Sequence, residues 1–252
     1  MTVLLEGKKL NKQFIDKKKT VDALKDVSFF LQEGEVLGIV GESGSGKSTL
    51  LNAIAGMLKL DSGSLFYKGE EYTGQKPRKT GHFLQIVFQN PQSSFDPRMT
   101  MEQSILESRR GEKDREKMLE LIKTVGLEEE LLSRKPSGLS GGQCQRMSIA
   151  RAFYSEASIL LCDEITSALD VTTQAQVVAL LKQLKEEGCF SAIFVTHDIA
   201  LVSNLCDWIM VMKEGQCVEQ GIAADVIQNP TDDYTKLLLE SARRQSIREP
   251  EG

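Results

Sequence analysis

The chain has 252 residues, 40% of them hydrophobic, which is enough to bury one sizeable core, so a single composite domain is expected. Its 31 lysines and arginines are outnumbered by 36 acidic residues, and the formal net charge of -5 argues against duplex nucleic acid as a partner. No apolar run is as long as a membrane span, and the start MTVLLEGKKL lacks the apolar core of a secretion signal, so work at a membrane would require docking to another chain.

The N-terminal part of the chain has the periodicity of β-strands. Between Val27 and Leu31 apolar residues fall at every second position, and Gly34 then turns the chain into the apolar stretch EVLGIV. The run Lys17-Lys18-Lys19 is interpreted as the solvated tip of a hairpin rather than a phosphate-binding surface. After Lys47 the spacing changes to that of a helix with one apolar stripe. The stripe consists of Leu50, Leu51, Ile54 and Met57.

Helices and strands then alternate towards the C-terminus. An amphipathic helix is predicted over residues 113–125, ending at Gly126, and a second one ends at Gly188. The apolar stretch CFSAIFV follows as a strand, and WIMVMKEGQCVEQG is predicted to be a hairpin that turns at Glu214-Gly215. This alternation is typical of an α/β fold with a mainly parallel sheet. The five cysteines form no CxxC pair, which argues against a zinc or redox dithiol site and favours reduced thiols in a cytoplasmic protein.

A glycine-rich loop joins the strand EVLGIV to the helix that follows it. Residues 41–48, GESGSGKS, match the pattern GxxxxGK[ST] in the context of strand, loop and helix that this pattern requires. Backbone N–H groups of such a loop point at phosphate oxygens, and the helix N-terminus adds its positive dipole end. Lys47 would contact the β- and γ-phosphates, and Ser48 would offer a hydroxyl to magnesium. The candidate nucleotide-binding residues are Gly41, Glu42, Ser43, Gly44, Ser45, Gly46, Lys47, Ser48 and Thr49.

The apolar run ILLCD ends in two adjacent carboxylates, Asp163 and Glu164. Taken alone, this pattern fits a buried strand that runs into a solvated loop as well as it fits a functional site. The upstream phosphate loop favours the functional interpretation, because enzymes with such a loop use a partner strand to hold the metal. We therefore predict that Asp163 binds magnesium, directly or through water, and that Glu164 accepts a proton from the attacking water.

A second glycine-rich turn, LSGGQ, spans Leu139 to Gln143 and leads into the helical pattern CQRMSIARAFY. Ser140 and the N–H groups of Gly141 and Gly142 would form another anion site at a helix start. A nucleotide has a single γ-phosphate. Two phosphate-binding motifs in one chain, GESGSGKS and LSGGQ, therefore indicate that each motif contributes to a different composite nucleotide site.

With these two motifs the sequence resembles the ATP-binding cassette (ABC) family over nearly its whole length. The resemblance implies a P-loop NTPase core with a mainly parallel sheet, an N-terminal antiparallel β subdomain and an inserted α-helical subdomain. The implied boundaries are 1–90 and 156–228 for the core, 91–155 for the helical subdomain with LSGGQ, and 229–252 for a C-terminal tail. In that family two subunits pair head to tail, so that each ATP lies between the phosphate loop of one subunit and the LSGGQ of the other.

The remaining family motifs occur in the expected order. Gln89 in VFQNP matches the Q-loop, Ser167 to Asp170 match the D-loop, and His197 in FVTHD matches the switch histidine. The resemblance implies that Gln89 senses the γ-phosphate and Mg²⁺ and that His197 helps hold the attacking water. Phe14 stands where the family stacks an aromatic ring on adenine. Taken singly, each of these residues also fits a plain role: a strand end for Gln89, a loop residue for His197 and a core ring for Phe14. The other histidine, His82, is interpreted as a loop residue.

Two stretches, VFQNPQSSFDPRMTM and NPTDDYTKLLLESARR, resemble the oligopeptide, dipeptide and nickel importer ATPases, and KPRK before the Q-loop favours the nickel or metal-chelate branch. This resemblance implies two membrane permease subunits, an indirectly acting solute-binding protein and a place at the cytoplasmic face of the membrane. Residues 95–99 would lie near the permease contact. The chain departs from the family at Cys144, where a basic residue is common. It also ends without a cysteine-bearing extension, so no iron–sulfur cluster is expected.

Two other classes compete with an importer ATPase. A cassette acting on nucleic acid or ribosomes would have long coiled coils or two cassettes in one chain, and the acidic composition argues against it. A module that binds nucleotide with little turnover is opposed by the intact Ser140, Glu164 and His197. The transported molecule and the choice between a homodimer and a heterodimer stay open at this point.

Overall fold

A computed structural model of the chain describes residues 2–16, 19–73, 83–109, 111–166, 169–188, 190–197 and 199–248. The chain forms two compact units: Met1–Thr80 with Ser191–Gly252, and Gly81–Phe190. The predicted helical subdomain, residues 91–155, has different boundaries from the second compact unit, and that subdivision stays a prediction. Lys17, Lys18, the KPRK stretch, His82 and Ser167 lie outside the described residues, so their interpretations also stay predictions.

The first unit contains two groups of strands. One is an antiparallel sheet in the order β2-β1-β4-β5. In the other, β3 pairs in parallel with β8 and β9, and β9 pairs antiparallel with β10. The parallel pairing was predicted from the alternation of strands and helices, and the N-terminal antiparallel sheet was implied by the family resemblance. The strands are β1 (Val3–Asp16), β2 (Lys19–Gln32), β3 (Val36–Val40), β4 (Ser62–Tyr67), β5 (Glu70–Glu71), β8 (Ser191–Thr196), β9 (Trp208–Lys213) and β10 (Gln216–Ile222). The helices are α1 (Lys47–Ile54), α6 (Ile199–Leu205), α7 (Ala223–Gln228) and α8 (Asp233–Arg248).

Two turns of this unit show how single residues set its geometry. Glu214 and Gly215 have φ angles of 48° and 81°, and a two-residue turn with positive φ at both positions matches the right-handed twist of a hairpin. The predicted hairpin is therefore confirmed. Helix α1 is shorter than predicted, because it ends at Ile54 and Gly56 adopts a φ of 73°. Met57 consequently lies beyond the helix and is 50% exposed, so its assignment to the apolar stripe was wrong.

In the described part of the second unit, a pair of parallel strands is combined with four helices. Strands β6 (Leu84–Val87) and β7 (Ile159–Asp163) run side by side in parallel register. The helices are α2 (Met101–Ser108), α3 (Arg115–Thr124), α4 (Gly141–Tyr154) and α5 (Val171–Glu186). Short 3₁₀ turns at Gln92–Ser94, Glu129–Ser133 and Pro136–Gly138 connect them.

Side-chain caps determine where the four helices of the second unit begin. Each has a Ser, Thr or Asp at the N-cap whose oxygen accepts a hydrogen bond from a backbone N–H of the first turn. The capping residues are Thr100, Asp114, Ser140 and Asp170. Met118 and Ile122 of α3 are buried, as the predicted apolar face requires. Among the residues described, no helix combines the length and apolar character needed to span a bilayer.

Candidate functional site

The phosphate loop leaves a strand that is buried at every position. All five residues of β3 are inaccessible, and the loop after it leads directly into α1 at Lys47. The side chain of Lys47 is 6% exposed, and its Nζ donates to the carbonyl oxygens of Gly41 at 2.7 Å and Glu42 at 2.8 Å. The loop therefore curls around the ammonium group. Ser48 is exposed and Thr49 is half-buried at the start of the helix.

Glycine is required in this loop because neighbouring backbone approaches it closely. Gly46 has a φ of 105°, and a Cβ there would lie 2.4 Å from the carbonyl oxygen of Ala23 in β2. At Gly41 a Cβ would lie 2.2 Å from the carbonyl oxygen of Met212 in β9. No sequence pattern indicates these supporting contacts, because the strands that make them are distant along the chain. The glycines thus serve both to expose N–H groups and to let the loop pack onto β2 and β9.

The N-terminus of α1 offers a favourable environment for an anion. Its N-cap, Gly46, makes no side-chain capping bond, and the first turn contains no acidic residue. The first N–H groups of a helix have no intrahelical partner, and the helix dipole favours negative charge beside them. A phosphate group can therefore bind here without competing with a capping side chain.

In the second unit the two parallel strands bring two predicted catalytic residues together. Gln89 follows β6 and Glu164 follows β7, and the Gln89 Nε2 donates a hydrogen bond of 3.0 Å to Glu164 Oε2. Glu164 has a φ of 45°, an unfavourable backbone conformation for a residue with a side chain. Such strain persists only where the surroundings impose it and is concentrated at functional sites. Asp163, the last residue of β7, is partly exposed at the same strand end.

The LSGGQ turn forms a capping box at the start of α4. The Ser140 Oγ accepts from the Gln143 N–H at 3.2 Å, and the Gln143 Oε1 accepts from the Ser140 N–H at 2.9 Å. The Gln143 side chain therefore fixes the helix start, a role that sequence reasoning missed although the S-x-x-Q spacing signals it. A Cβ on Gly142 would lie 2.7 Å from Thr173 Cγ2, so glycine also allows α5 to pack against the turn. Gly141 has open space at its Cβ position.

Cys144 lies beneath this turn and not on its surface. Its side chain is fully buried, and the Sγ is 3.6 Å from the Pro136 carbonyl oxygen. Burial raises the pKa of the Cys144 thiol. The position at which the family commonly has a basic residue is thus filled by a neutral group packed inside the second unit. Among the described cysteines, Cys144, Cys162, Cys206 and Cys217 form no disulfide.

The segment after Gln89 is tied to α4 by an arginine that the sequence analysis did not single out. The Arg151 guanidinium donates to the Ser94 carbonyl at 2.8 Å and to the Ser94 hydroxyl at 3.1 Å, and it lies 4.2 Å from the centre of the Phe95 ring. Burial lowers the pKa of Arg151 to about 10, which leaves it charged at neutral pH. Phe95 is buried, so within the predicted permease contact at residues 95–99 the exposed residues are Pro97 and Arg98.

Three further predicted residues have defined positions. Phe14 is 42% exposed on β1, with Lys12 Nζ 5.5 Å from its ring centre, which excludes the alternative of a core ring. His197 directly follows β8 and is exposed. Asp170 of the D-loop caps α5, and its pKa is lowered by hydrogen bonds from the N–H and hydroxyl of Thr173.

The chemical character of the candidate metal ligands fits Mg²⁺, which prefers oxygen donors and retains several sites for water and phosphate. The first unit offers the exposed hydroxyl of Ser48. The second offers the partly exposed carboxylate of Asp163 and the amide oxygen of Gln89, whose amide nitrogen is engaged by Glu164.

Comparison with known proteins agrees with this set of motifs. A family described as "ABC transporter" matches residues 24–167. The oligopeptide transport ATP-binding protein OppF of Escherichia coli is 43% identical over 231 residues, covering 88% of this chain and 69% of that protein. The dipeptide transport ATP-binding protein DppF of Haemophilus influenzae is 39% identical over 249 residues, covering 94% and 75%.

Among solved structures, the dimeric ATP-binding cassette MJ0796 bound to ADP and Pi superposes with a TM-score of 0.78 at 31% identity, covering 87% of this chain and 99% of that one. That structure contains the products of ATP hydrolysis, and it is a dimer. The agreement extends over most of the chain and is not confined to the phosphate loop.

Proposed function

Because the chain belongs to the ABC transporter family of ATPases, we propose that it is the ATP-hydrolysing subunit of an importer whose cargo is peptides. The observation that carries the nucleotide-binding role is the loop that wraps the buried ammonium of Lys47 at the start of an uncapped helix. The cargo is supported by the relatives named for oligopeptide and dipeptide transport. Neither of these is named for nickel, so the nickel or metal-chelate branch has no support from them.

Each of the two units has its own proposed contacts with a nucleotide. In the first unit, Lys47 and the N–H groups of the phosphate loop bind the β- and γ-phosphates, and the exposed ring of Phe14 stacks on adenine. The Lys12 ammonium, 5.5 Å from the centre of that ring, forms an ion pair of 2.8 Å with the Asp61 carboxylate. The LSGGQ turn of the second unit, with Ser140 and the N–H groups of Gly141 and Gly142, binds the γ-phosphate of the nucleotide held by a second subunit.

The proposed reaction is transfer of the γ-phosphoryl group of ATP to water, which yields ADP and phosphate. Glu164 accepts a proton from the attacking water, Gln89 holds the Glu164 carboxylate, and His197 contacts the γ-phosphate. When bound, Mg²⁺ neutralises charge on the β- and γ-phosphate oxygens, and Ser48, Asp163 and Gln89 offer the oxygen donors for it. Phosphoryl transfer depends mainly on positioning and charge stabilisation, so a covalent enzyme intermediate is not required.

The proposed assembly follows from the presence of two phosphate-binding motifs, the phosphate loop and the LSGGQ turn, in one chain. A second cassette subunit, either another copy or a related chain, pairs head to tail so that each ATP is completed by both. Two permease subunits hold the pair at the cytoplasmic face of the membrane, and a solute-binding protein delivers the peptide on the other side. Nucleic acid has no part in this cycle, in agreement with the net charge of -5.

The nucleotide role is tested by titrating ATP with Mg²⁺ into the wild type and Lys47→Ala. We expect affinity to fall at least about tenfold, because the variant loses the cation that faces the phosphates. Lys59→Ala, which removes an exposed lysine outside the loop, is the matched control and should bind normally. Unchanged affinity in Lys47→Ala would remove the basis of the proposed function.

A further inference from the structure

The hydroxyl of Tyr234, near the start of α8, touches the phosphate loop. It accepts a hydrogen bond of 3.0 Å from the backbone N–H of Glu42, the second residue of the loop. The two residues are 192 positions apart in the sequence, and both belong to the first unit. A residue of the C-terminal segment therefore contacts the backbone of the proposed nucleotide site.

The ring of Tyr234 is fixed in place by packing. It is 9% exposed and belongs to a buried cluster with Val40, the residue that precedes Gly41, and with Val211 of β9. The Lys213 ammonium lies 4.8 Å from the ring centre. Burial raises the pKa of Tyr234, so the phenol is neutral at physiological pH and its oxygen accepts the hydrogen bond as an uncharged group.

The start of α8 is in turn anchored on β10 by Glu219. Its carboxylate accepts from the N–H and hydroxyl of Thr231, each at 2.8 Å, and from the N–H of Asp232 at 3.2 Å. The Asp232 carboxylate then accepts from the N–H of Tyr234 at 2.8 Å. Backbone and side chain of Tyr234 are thus held independently, which leaves its hydroxyl little freedom to move.

The Gly41–Glu42 peptide group connects Tyr234 to Lys47. Its N–H donates to the Tyr234 hydroxyl, and its carbonyl oxygen accepts from the Lys47 Nζ at 2.7 Å. A peptide group is planar, so fixing the direction of its N–H also fixes the direction of its carbonyl. We propose that Tyr234 is a positioning residue that orients this peptide and thereby the Lys47 ammonium for binding the ATP phosphates. The inference rests on the proposed role of the phosphate loop.

The test compares Tyr234→Phe with the wild type. Phenylalanine keeps the buried ring and removes the hydroxyl, so the fold is retained while the Gly41–Glu42 peptide is released. We expect the Kd for ATP and the KM for its hydrolysis to rise about three- to tenfold, which is the effect of losing a single hydrogen bond, with kcat changed less than about twofold. Hydrogen exchange of the Glu42 amide, followed by NMR, should become faster.

Tyr72→Phe is the matched control, because the Tyr72 hydroxyl donates to the Ile54 carbonyl at the far end of α1. It should leave the ATP affinity and the Glu42 exchange rate unchanged. A second variant, Glu219→Gln, weakens the anchor of α8 and should shift the ATP affinity in the same direction by a smaller factor. Combined with Tyr234→Phe it should add nothing further, because both changes release the same peptide.

Wild-type affinity and unchanged Glu42 exchange in Tyr234→Phe would overturn the inference. A similar loss of ATP affinity in Tyr72→Phe would also overturn it, since the effect would then be one of general stability. These outcomes are distinct from failure of the proposed function, in which the wild type itself would not bind ATP or Lys47→Ala would bind it normally.

Discussion

Lys47 shows how a single buried charge prepares a site for an anion. Burying an ammonium group costs free energy unless hydrogen bonds compensate for it, and here the carbonyl oxygens of Gly41 and Glu42 do so. Carbonyl oxygens carry only partial negative charge, whereas a triphosphate carries several full charges, so the phosphates are the stronger partner. The loop therefore keeps the ammonium in place, where the proposed function has it bind the phosphates.

Glu164, the proposed base, is likewise held in position by the surrounding protein. Its backbone has a positive φ directly after β7, and the Gln89 amide donates a hydrogen bond to one of its carboxylate oxygens. According to the proposed function, this carboxylate accepts the proton of the attacking water. Backbone strain here is offset by the buried strand that precedes it, because the four positions Ile159 to Cys162 are inaccessible.

We expect Glu164→Gln to lower ATP turnover by about a hundred- to ten-thousandfold, since an amide cannot take up the proton of the attacking water. Its oxygen can still accept from Gln89, so ATP affinity should stay within about twofold of the wild type. Phosphate release and ATP titration on the same preparation measure both quantities. Glu33→Gln, at an exposed turn before β3, is the control and should hydrolyse ATP normally. Turnover near the wild-type rate would reject Glu164 as the base.

At the scale of elements, the second unit has two helices that begin with the same capping box but in different surroundings. In α2, Thr100 and Gln103 exchange the hydrogen bonds that Ser140 and Gln143 exchange in α4. Both boxes stabilise a helix start. According to the proposed function, only the second one also presents a hydroxyl and two glycine N–H groups to a nucleotide.

Alanine variants of these two capping boxes distinguish an effect on folding stability from an effect on ATP turnover. Ser140→Ala and Thr100→Ala should each lower the free energy of unfolding by about 1 kcal/mol, the usual effect of losing a side-chain cap. Ser140→Ala should in addition lower ATP turnover at least about tenfold, whereas Thr100→Ala should leave turnover within about twofold of the wild type. Denaturant titration and an ATPase assay measure the two effects. Equal losses of turnover in both variants would show that the LSGGQ serine acts through stability alone.

At the scale of the whole molecule, the assignment to a family and the identity of the cargo are supported by different observations. The match to the ABC transporter family spans residues 24–167 and includes both the phosphate loop and the LSGGQ turn. The cargo does not follow from these residues, because a cassette subunit does not form the main substrate site. It is supported by relatives named for peptide transport.

Deletion of the gene should therefore abolish uptake of labelled di- and oligopeptides and leave uptake of nickel-63 unchanged. Restoring the wild-type gene should recover peptide uptake, and restoring Glu164→Gln should not, because import requires hydrolysis. Uptake by cells is measured with both labels under the same conditions. Normal peptide uptake together with lost nickel uptake would replace peptides by nickel as the cargo.

The local chemistry of the proposed site could be predicted from the sequence. A phosphate cradle needs glycines and a lysine at fixed offsets within eight residues, and a buried strand that ends in carboxylates needs only a short apolar run, so GESGSGKS and ILLCDE were sufficient. The same holds for the hairpin at Glu214-Gly215. The error at Met57 arose because helical spacing continues past the point where Gly56 ends the helix.

Contacts between distant segments were decided by the tertiary structure alone. No spacing rule relates Glu42 to Tyr234 or Ser94 to Arg151, and no pattern shows that Gly46 must be a glycine because Ala23 lies against it. The hydrogen bonds that orient a loop come from whichever side chains the fold places beside it, and that placement results from the packing of the entire core. The sequence by itself determined which groups are proposed to do the chemistry, whereas the tertiary structure decided what holds them in position.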